Sequence, residues 1–162
     1  MATNYQEVEN YGVESSFRAP SIYIDSNWFV HSTFSHTFTQ STIFETTTSD
    51  DALVGQQLIY VPKHQFNAAV TLSAHKWWLR YQHTFTDRLF ITADNQWYLP
   101  AYDLANLSLT GRWNKGPGPG RMWTLRLEVN NLYNKQYQAL PWRPMPGRWY
   151  AVSIRYRWLS KD

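Results

Sequence analysis

The chain carries few residue combinations that could do covalent chemistry. Its five histidines are His31, His36, His64, His75 and His83. His31 and His36 stand five apart on a stretch with strand character, so they fall on opposite faces and are not expected to share a metal ion. Cys is absent, which removes thiolate chemistry, thiolate zinc sites and disulfides. There is no G-x-S-x-G elbow and no H-E-x-x-H pair. Gly116-Pro117-Gly118-Pro119-Gly120 has glycines enough for a phosphate cradle. Its prolines, however, delete two of the N–H donors such a loop would use, so a tight turn is the expectation. Asp50-Asp51 lies in a Thr-rich stretch and reads as solvated. No catalytic residue, metal or cofactor is expected, and the chain does not read as an enzyme. What remains are charges at regular positions, Arg80, Arg112, Arg126, Glu128, Arg155 and Arg157. Two aromatics in loop stretches, Tyr98 and Trp142, are candidate substrate contacts.

The elements that place these residues show in a period-two pattern. Phe66, Ala68, Val70, Leu72 and Ala74 alternate with Gln65, Asn67, Thr71 and Ser73, with Ala69 among the latter. Trp77, Leu79, Tyr81, His83 and Phe85 alternate with Trp78, Arg80, Gln82, Thr84 and Thr86. Ala105, Leu107, Leu109, Gly111 and Trp113 oppose Asn106, Ser108, Thr110 and Arg112. Trp123, Leu125, Leu127 and Val129 oppose Thr124, Arg126, Glu128 and Asn130. Tyr150, Val152, Ile154, Tyr156 and Trp158 oppose Ala151, Ser153, Arg155 and Arg157. Tyr11 to Phe17 and Trp28 to Phe38 alternate less cleanly. The fold class is therefore all-β, with about seven strands, the later ones near the length that crosses a bilayer when tilted. Short connections are expected around Ala74–Trp77 and Asn114–Arg121, and an intermediate one over Arg18–Asn27. Long ones are expected over Thr39–Lys63, Asp87–Ala101 and Asn134–Arg148. Short turns at one end and long loops at the other describe an antiparallel transmembrane β-barrel meander.

Composition agrees. The chain has 162 residues, eight Phe, eleven Tyr and nine Trp, and only 17% charged residues. That charge is low against the roughly 25% of ordinary soluble domains. Mean hydropathy is −0.52, because uncharged polar residues fill the gap. No run of about 18 apolar residues exists, so a transmembrane helix is excluded, whereas membrane strands are not. A net charge of +3, evenly spread, gives no footprint for nucleic acid. The first residues have neither a basic nor an apolar segment of a signal peptide. Trp28, Trp77, Trp78, Trp113, Trp123 and Trp158 all fall at strand ends beside the short turns or the C-terminus. Indole favours that level of a membrane, with its ring in apolar chain and its N–H in water. A soluble sandwich would place Trp at mid-strand instead. The charged residues Arg80, Arg112, Arg126, Glu128, Arg155 and Arg157 then face a wet lumen, since lipid would cost each arginine about 2–4 kcal/mol at the midplane and the glutamate somewhat less.

Val129-Asn130-Asn131-Leu132-Tyr133-Asn134-Lys135-Gln136-Tyr137, then Pro144-Met145-Pro146-Gly147-Arg148-Trp149-Tyr150, then Ile154-Arg155-Tyr156-Arg157-Trp158 resemble the C-terminal end of TonB-dependent outer-membrane receptors. Val8-Glu9-Asn10-Tyr11-Gly12-Val13-Glu14 is similar to the G-x-E strand about seven strands from the end of such barrels. The resemblance spans nearly the whole chain. It implies a barrel of about 22 strands around an N-terminal plug, located in the outer membrane of a Gram-negative bacterium. It implies uptake of a scarce nutrient such as a ferric siderophore, driven through TonB. Residues 1–162 would be the C-terminal portion of that barrel, without the plug and TonB box. The partners implied are outer-membrane lipid and the remaining barrel and plug, from the same gene or a companion chain. TonB, acting through the missing N-terminal part, and the barrel-assembly machinery complete the set. The final strand residues Tyr150, Val152, Ile154, Tyr156 and Trp158 would be the assembly signal, although Leu159-Ser160-Lys161-Asp162 extends past the usual closing aromatic.

An odd strand count puts the two termini on opposite sides of the membrane and leaves two sheet edges open, which hydrocarbon does not tolerate. That favours a portion of a larger barrel. The alternatives are a self-contained eight-stranded outer-membrane barrel with a structural or adhesion role, using Met1–Asn10 in an extra strand, and a soluble β-barrel ligand-binding protein.

Overall fold

The computed structural model describes residues 5–46, 51–114 and 121–158. The turn at Gly116–Gly120, Asp50 and the Leu159–Asp162 extension lie outside the described residues. Among the described residues twelve strands form: β1 (Tyr5–Arg18), β2 (Ile22–Asp25), β3 (Trp28–Thr46), β4 (His64–Ala74), β5 (Trp77–Thr86), β6 (Leu89–Phe90), β7 (Tyr98–Leu99), β8 (Tyr102–Asn114), β9 (Arg121–Asn130), β10 (Gln138–Leu140), β11 (Arg143–Pro144) and β12 (Trp149–Trp158). The main sheet runs β1-β3-β4-β5-β8-β9-β12, antiparallel throughout, with β2 also on β3. It is the meander that the alternation predicts. Among the described residues no helix is long and apolar enough to cross a membrane.

Three features differ from the sequence expectation. First, Arg18–Asn27 is not a connection of intermediate length. β1 ends opposite Thr33, and β2 resumes on the same neighbour with Ile22 opposite Val30. Four residues on one strand thus face three on the other, which is a bulge. Pro20 sits in it, where a missing N–H costs the ladder nothing. The true turn is Ser26-Asn27. Second, β3 does not end near Phe38 but continues to Thr46, paired with β1. Thr39, Thr42 and Ile43 are β-branched and suit a strand even without alternation. At about 3.3 Å per residue β3 is about 60 Å long, more than twice the apolar band of an outer membrane. Third, the two later long loops contain ladders of their own, β6 with β7 and β10 with β11.

The register fixes the two faces. Val30, Leu72, Leu79, Leu109, Leu127 and Val152 form one continuous cross-strand row. The adjacent row, one residue along each strand, is His31, Thr71, Arg80, Ser108, Glu128 and Ala151. Burial is inverted relative to a water-soluble domain. Thr71 and Ser73 are 5% and 3% exposed, whereas Val70 and Leu79 are 46% and 40% exposed. Small polar residues occupy the sheltered face and large apolar ones the open face.

Candidate functional site

Arg80, Arg112, Arg126, Glu128, Arg155 and Arg157 all stand on the polar face, as the register requires. Arg126 pairs with Glu128 at 2.6 Å. Two residues apart on one strand, they necessarily share a face. Arg80 donates to the Thr71 hydroxyl at 3.5 Å, and Gln82 donates to Asn67 at 3.0 Å. The Arg112 guanidinium lies 4.9 Å from the Trp78 ring centre. Trp78 therefore belongs to the polar face and not to the interfacial ring with the other tryptophans. Its neighbour Trp77 takes that place, because successive side chains point oppositely. Ser16, Arg18, His31, Thr33, Asn67 and Arg80 line a polar hollow of about 830 Å³ on this wall.

The opposite face has a boundary at each end. Near the short turns stand Trp28, Trp77, Trp113, Trp123 and Tyr156. Trp77 and Trp113 meet edge-on at 5.1 Å over Gly111, and Trp123 packs on Tyr156 at 4.6 Å. Near the long loops the same face turns polar. Asp103 pairs with Lys135, His83 lies 3.7 Å from Asp103, and the Tyr81 hydroxyl contacts His83 and Tyr133 at 3.1 and 3.2 Å. From Asp103 to Trp113 along β8 is ten residues, or about 33 Å of strand. Tilted by about 40°, that strand spans about 25 Å, the height of an outer-membrane apolar band.

The segment after β9 is held by side-chain amides. Asn131 accepts from the Lys135 amide at 2.8 Å and donates to the carbonyls of Lys135 and Pro146. Asn134 accepts from the Arg148 amide at 2.8 Å. Both asparagines have left-handed backbone, φ 50° and 53°, a conformation that Asn tolerates better than most residues. The loop leaving β9 is thereby stitched to the one entering β12.

The loops meet in a cleft of about 810 Å³ lined by Tyr60, Ile91, Thr92, Trp97, Leu140, Pro141, Trp142 and Arg143. The residues after Asp51 double back along β3, with Gly55 donating to Ile43 and Leu58 to Ser41, and bring Tyr60 to the rim. Asn95 reaches across, accepting from the Gln57 amide and donating to its carbonyl. Trp142 lies in this cleft. Tyr98 does not: its ring stands edge-on to Phe90 at 6.3 Å and beneath Arg88 at 5.5 Å. Trp97, one residue earlier and so on the other face, lines the cleft instead. Tyr60, Trp97 and Arg143 had no sequence signal beyond being loop residues, because loop convergence is not periodic.

Outside these places the histidines behave as wall residues. His31 faces the polar side, while His36 faces the apolar side and stacks on Phe66 at 4.3 Å. The described residues hold no group of three or more candidate metal ligands.

The model of the family described as TonB dependent receptor-like, beta-barrel, matches residues 1–132. The chain belongs to that family. The matched span takes in β1 to β9 of this TonB-dependent receptor barrel, and the stitched Asn134–Trp158 region lies beyond it. Among solved structures it is similar to BauA, the ferric preacinetobactin receptor from Acinetobacter baumannii, with a TM-score of 0.62 and 17% identity. The similarity covers 92% of this chain and 26% of BauA, so the chain spans about a quarter of that receptor's length. At that identity the likeness speaks for the fold. No curated protein matches the sequence. Proteins of this family are receptors and transporters, not enzymes.

Proposed function

We propose that residues 1–162 form the C-terminal portion of the barrel wall of a TonB-dependent receptor that takes up a scarce nutrient, such as a ferric siderophore, across the outer membrane of a Gram-negative bacterium. The observation that carries this reading is the inverted sheet. It has an exposed apolar face about 25 Å tall, bounded by Trp below and ions above, and a sheltered polar face behind it. BauA is a ferric preacinetobactin receptor, and an iron chelate is the cargo we carry over to this chain.

In this reading Arg80, Arg112, Arg126, Glu128, Arg155 and Arg157 line the lumen. Tyr150, Val152, Ile154, Tyr156 and Trp158 present the strand that the barrel-assembly machinery reads. Tyr98 and Trp142 sit at the extracellular mouth as substrate contacts. Among the described residues β1 and β12 each pair on one side only and do not meet. Open edges in hydrocarbon leave N–H and C=O groups unsatisfied, so the remaining barrel strands must flank both edges, with the plug inside and TonB engaging the N-terminal part. The same fact weighs against a closed eight-stranded barrel made of this chain alone, and the exposed apolar band weighs against a soluble binding protein.

The test is uptake of radiolabelled iron chelates by iron-starved cells producing the full receptor, with and without TonB. TonB-dependent uptake is expected. Equal uptake in cells lacking the receptor would sink the proposal.

A further inference from the structure

The tryptophan boundary near the short turns is notched. Along one row of the apolar face Trp28, Ala74, Trp77 and Gly111 stand side by side on β3, β4, β5 and β8, so large and small residues alternate. The notch at Gly111 is filled, because the Trp77 and Trp113 rings close over it. The notch at Ala74 is open. It is a groove of about 490 Å³ between the Trp28 and Trp77 indoles. Leu72, Leu79 and Leu109, two residues further from the turns, form its floor on the membrane side. All four strands are paired on both edges within this chain, so the groove is complete without the remaining barrel. Polar groups gather only at its other end. His75 lines that end from the β4–β5 turn, which it forms with Lys76. The His75 amide donates to the Asn27 carbonyl at 3.1 Å and ties this turn to Ser26-Asn27. Asp25 stands opposite Trp28, its carboxylate accepting from the Ser26 amide at 2.6 Å. Among the described residues neither Asp25 nor Lys76 has an ion-pair partner.

We propose that the Ala74 groove binds one phospholipid of the periplasmic leaflet, with an acyl chain between the two indoles and a zwitterionic ethanolamine headgroup at the turns. The proposal rests on the membrane-wall reading above and goes beyond it by giving the wall a specific lipid site. The shape selects the occupant. It must be narrow and apolar along the leucine floor and polar at the turn end, where short turns meet the periplasmic headgroups. Water leaves an apolar groove unfilled, and an unfilled groove forfeits the dispersion contacts of its lining. The flat face of a second copy would rest on the indoles and leave the floor uncovered. Charge selects the headgroup. Its phosphate meets Lys76 and the His75 imidazole, and its ammonium meets Asp25. A glycerol headgroup carries the phosphate alone and meets Asp25 with like charge.

The test uses the full receptor, purified in mild detergent and stripped of lipid, and native mass spectrometry during titration with phosphatidylethanolamine or phosphatidylglycerol. One phosphatidylethanolamine per receptor is expected to bind about fivefold or more tighter than phosphatidylglycerol. Ala74→Leu fills the notch with a side chain that lipid tolerates, and it should weaken binding of both lipids by a similar factor. Asp25→Asn should keep a lipid bound and erase the preference between headgroups. Heat-modifiability should be the same in wild type and both variants. Equal lipid binding by wild type and Ala74→Leu would overturn the proposal. So would a wild type with no preference between the two headgroups, or one that forms lipid-free dimers. Each of these results leaves the receptor reading standing, because TonB-dependent uptake tests that reading separately.

Discussion

Asn134 accepts a hydrogen bond from the Arg148 amide at 2.8 Å, through an amide oxygen that a Cβ on Gly147 would approach to 2.6 Å. The two residues are thus chosen together. The acceptor can reach the chain only because position 147 is bare, and the bare position is useful only because an acceptor fills the space. Asn131 performs the same task one turn earlier, bonding Lys135 and Pro146. These amides set where β12 begins, and therefore the register of the last strand against β9.

Replacing Asn134 separates its two roles. Asn134→Gly keeps the left-handed backbone and loses the acceptor, costing about 1 kcal/mol. Asn134→Ala loses both and should cost more. The expected order in thermal heat-modifiability is wild type, then Asn134→Gly, then Asn134→Ala. Equal midpoints for all three would show that the stitch contributes nothing.

Leu107 and Leu127 lie on the apolar face, while Ser108 lies between Arg80 and Glu128 on the polar one. Arg at Leu107 or Leu127 should cost about 2–4 kcal/mol near the midplane and reduce the folded, membrane-inserted fraction. Ser108→Arg should insert normally. Equal tolerance of the three, scored by gel mobility before and after heating, would contradict the assignment of faces.

Gly111 is roofed by two indoles. An added Cβ would stand 2.5 Å from Trp113 and 2.7 Å from Trp77. Gly111→Val should drive the pair apart and lower thermal stability by about 1–3 kcal/mol, the usual cost of overpacking. Near-ultraviolet circular dichroism should report the loss of the edge-on Trp77–Trp113 contact, and an unchanged spectrum would argue that the ring contact is absent.

Trp158 ends β12 opposite Arg121 on the apolar side. Trp158→Ala should lower the amount of receptor inserted while leaving the ligand affinity of the inserted fraction unchanged. Quantifying receptor in outer-membrane fractions alongside its ligand affinity distinguishes this from a binding role, in which insertion would be normal and affinity lost.

Asp94 accepts from the Thr92 hydroxyl at 2.6 Å and from the Gln96 amide at 3.1 Å, which holds its carboxyl below the ordinary aspartate value of 3.8. A depressed carboxylate adds order that is present above the ordinary value and lost as pH falls through the lowered one. Protection of the Gln96 and Trp97 amides, taken relative to their intrinsic exchange at each pH, should therefore hold at neutral pH and be lost only in acid below 3.8. In Asp94→Ala that protection should be reduced at every pH. Identical profiles for the two proteins would remove Asp94 from the loop's support.

Much of this protein is legible in one dimension. A strand states its two faces in its own alternation, so the lipid face, the polar wall and the tryptophan boundary around Trp77, Trp113 and Trp123 follow from residue order. The resemblance read from the motif around Asn131 and Gly147 also comes from residue order, whereas the family match itself covers residues 1–132. Other features needed the fold. The partner of Trp78 is one: alternation with Trp77 already sets it on the face of Arg80, but only the fold brings the Arg112 guanidinium to 4.9 Å from its ring centre. β1 and β2 proved to be one strand interrupted at Pro20, since a bulge has no periodic signature. Trp142 shares its cleft with Trp97 and Tyr60 rather than with Tyr98 because the loops are brought together by cross-loop bonds such as Asn95 with Gln57 and by single left-handed residues. Periodic patterning is repeated in every strand and so survives in sequence. A cleft is made by residues that recur nowhere, and only the tertiary structure brings them together.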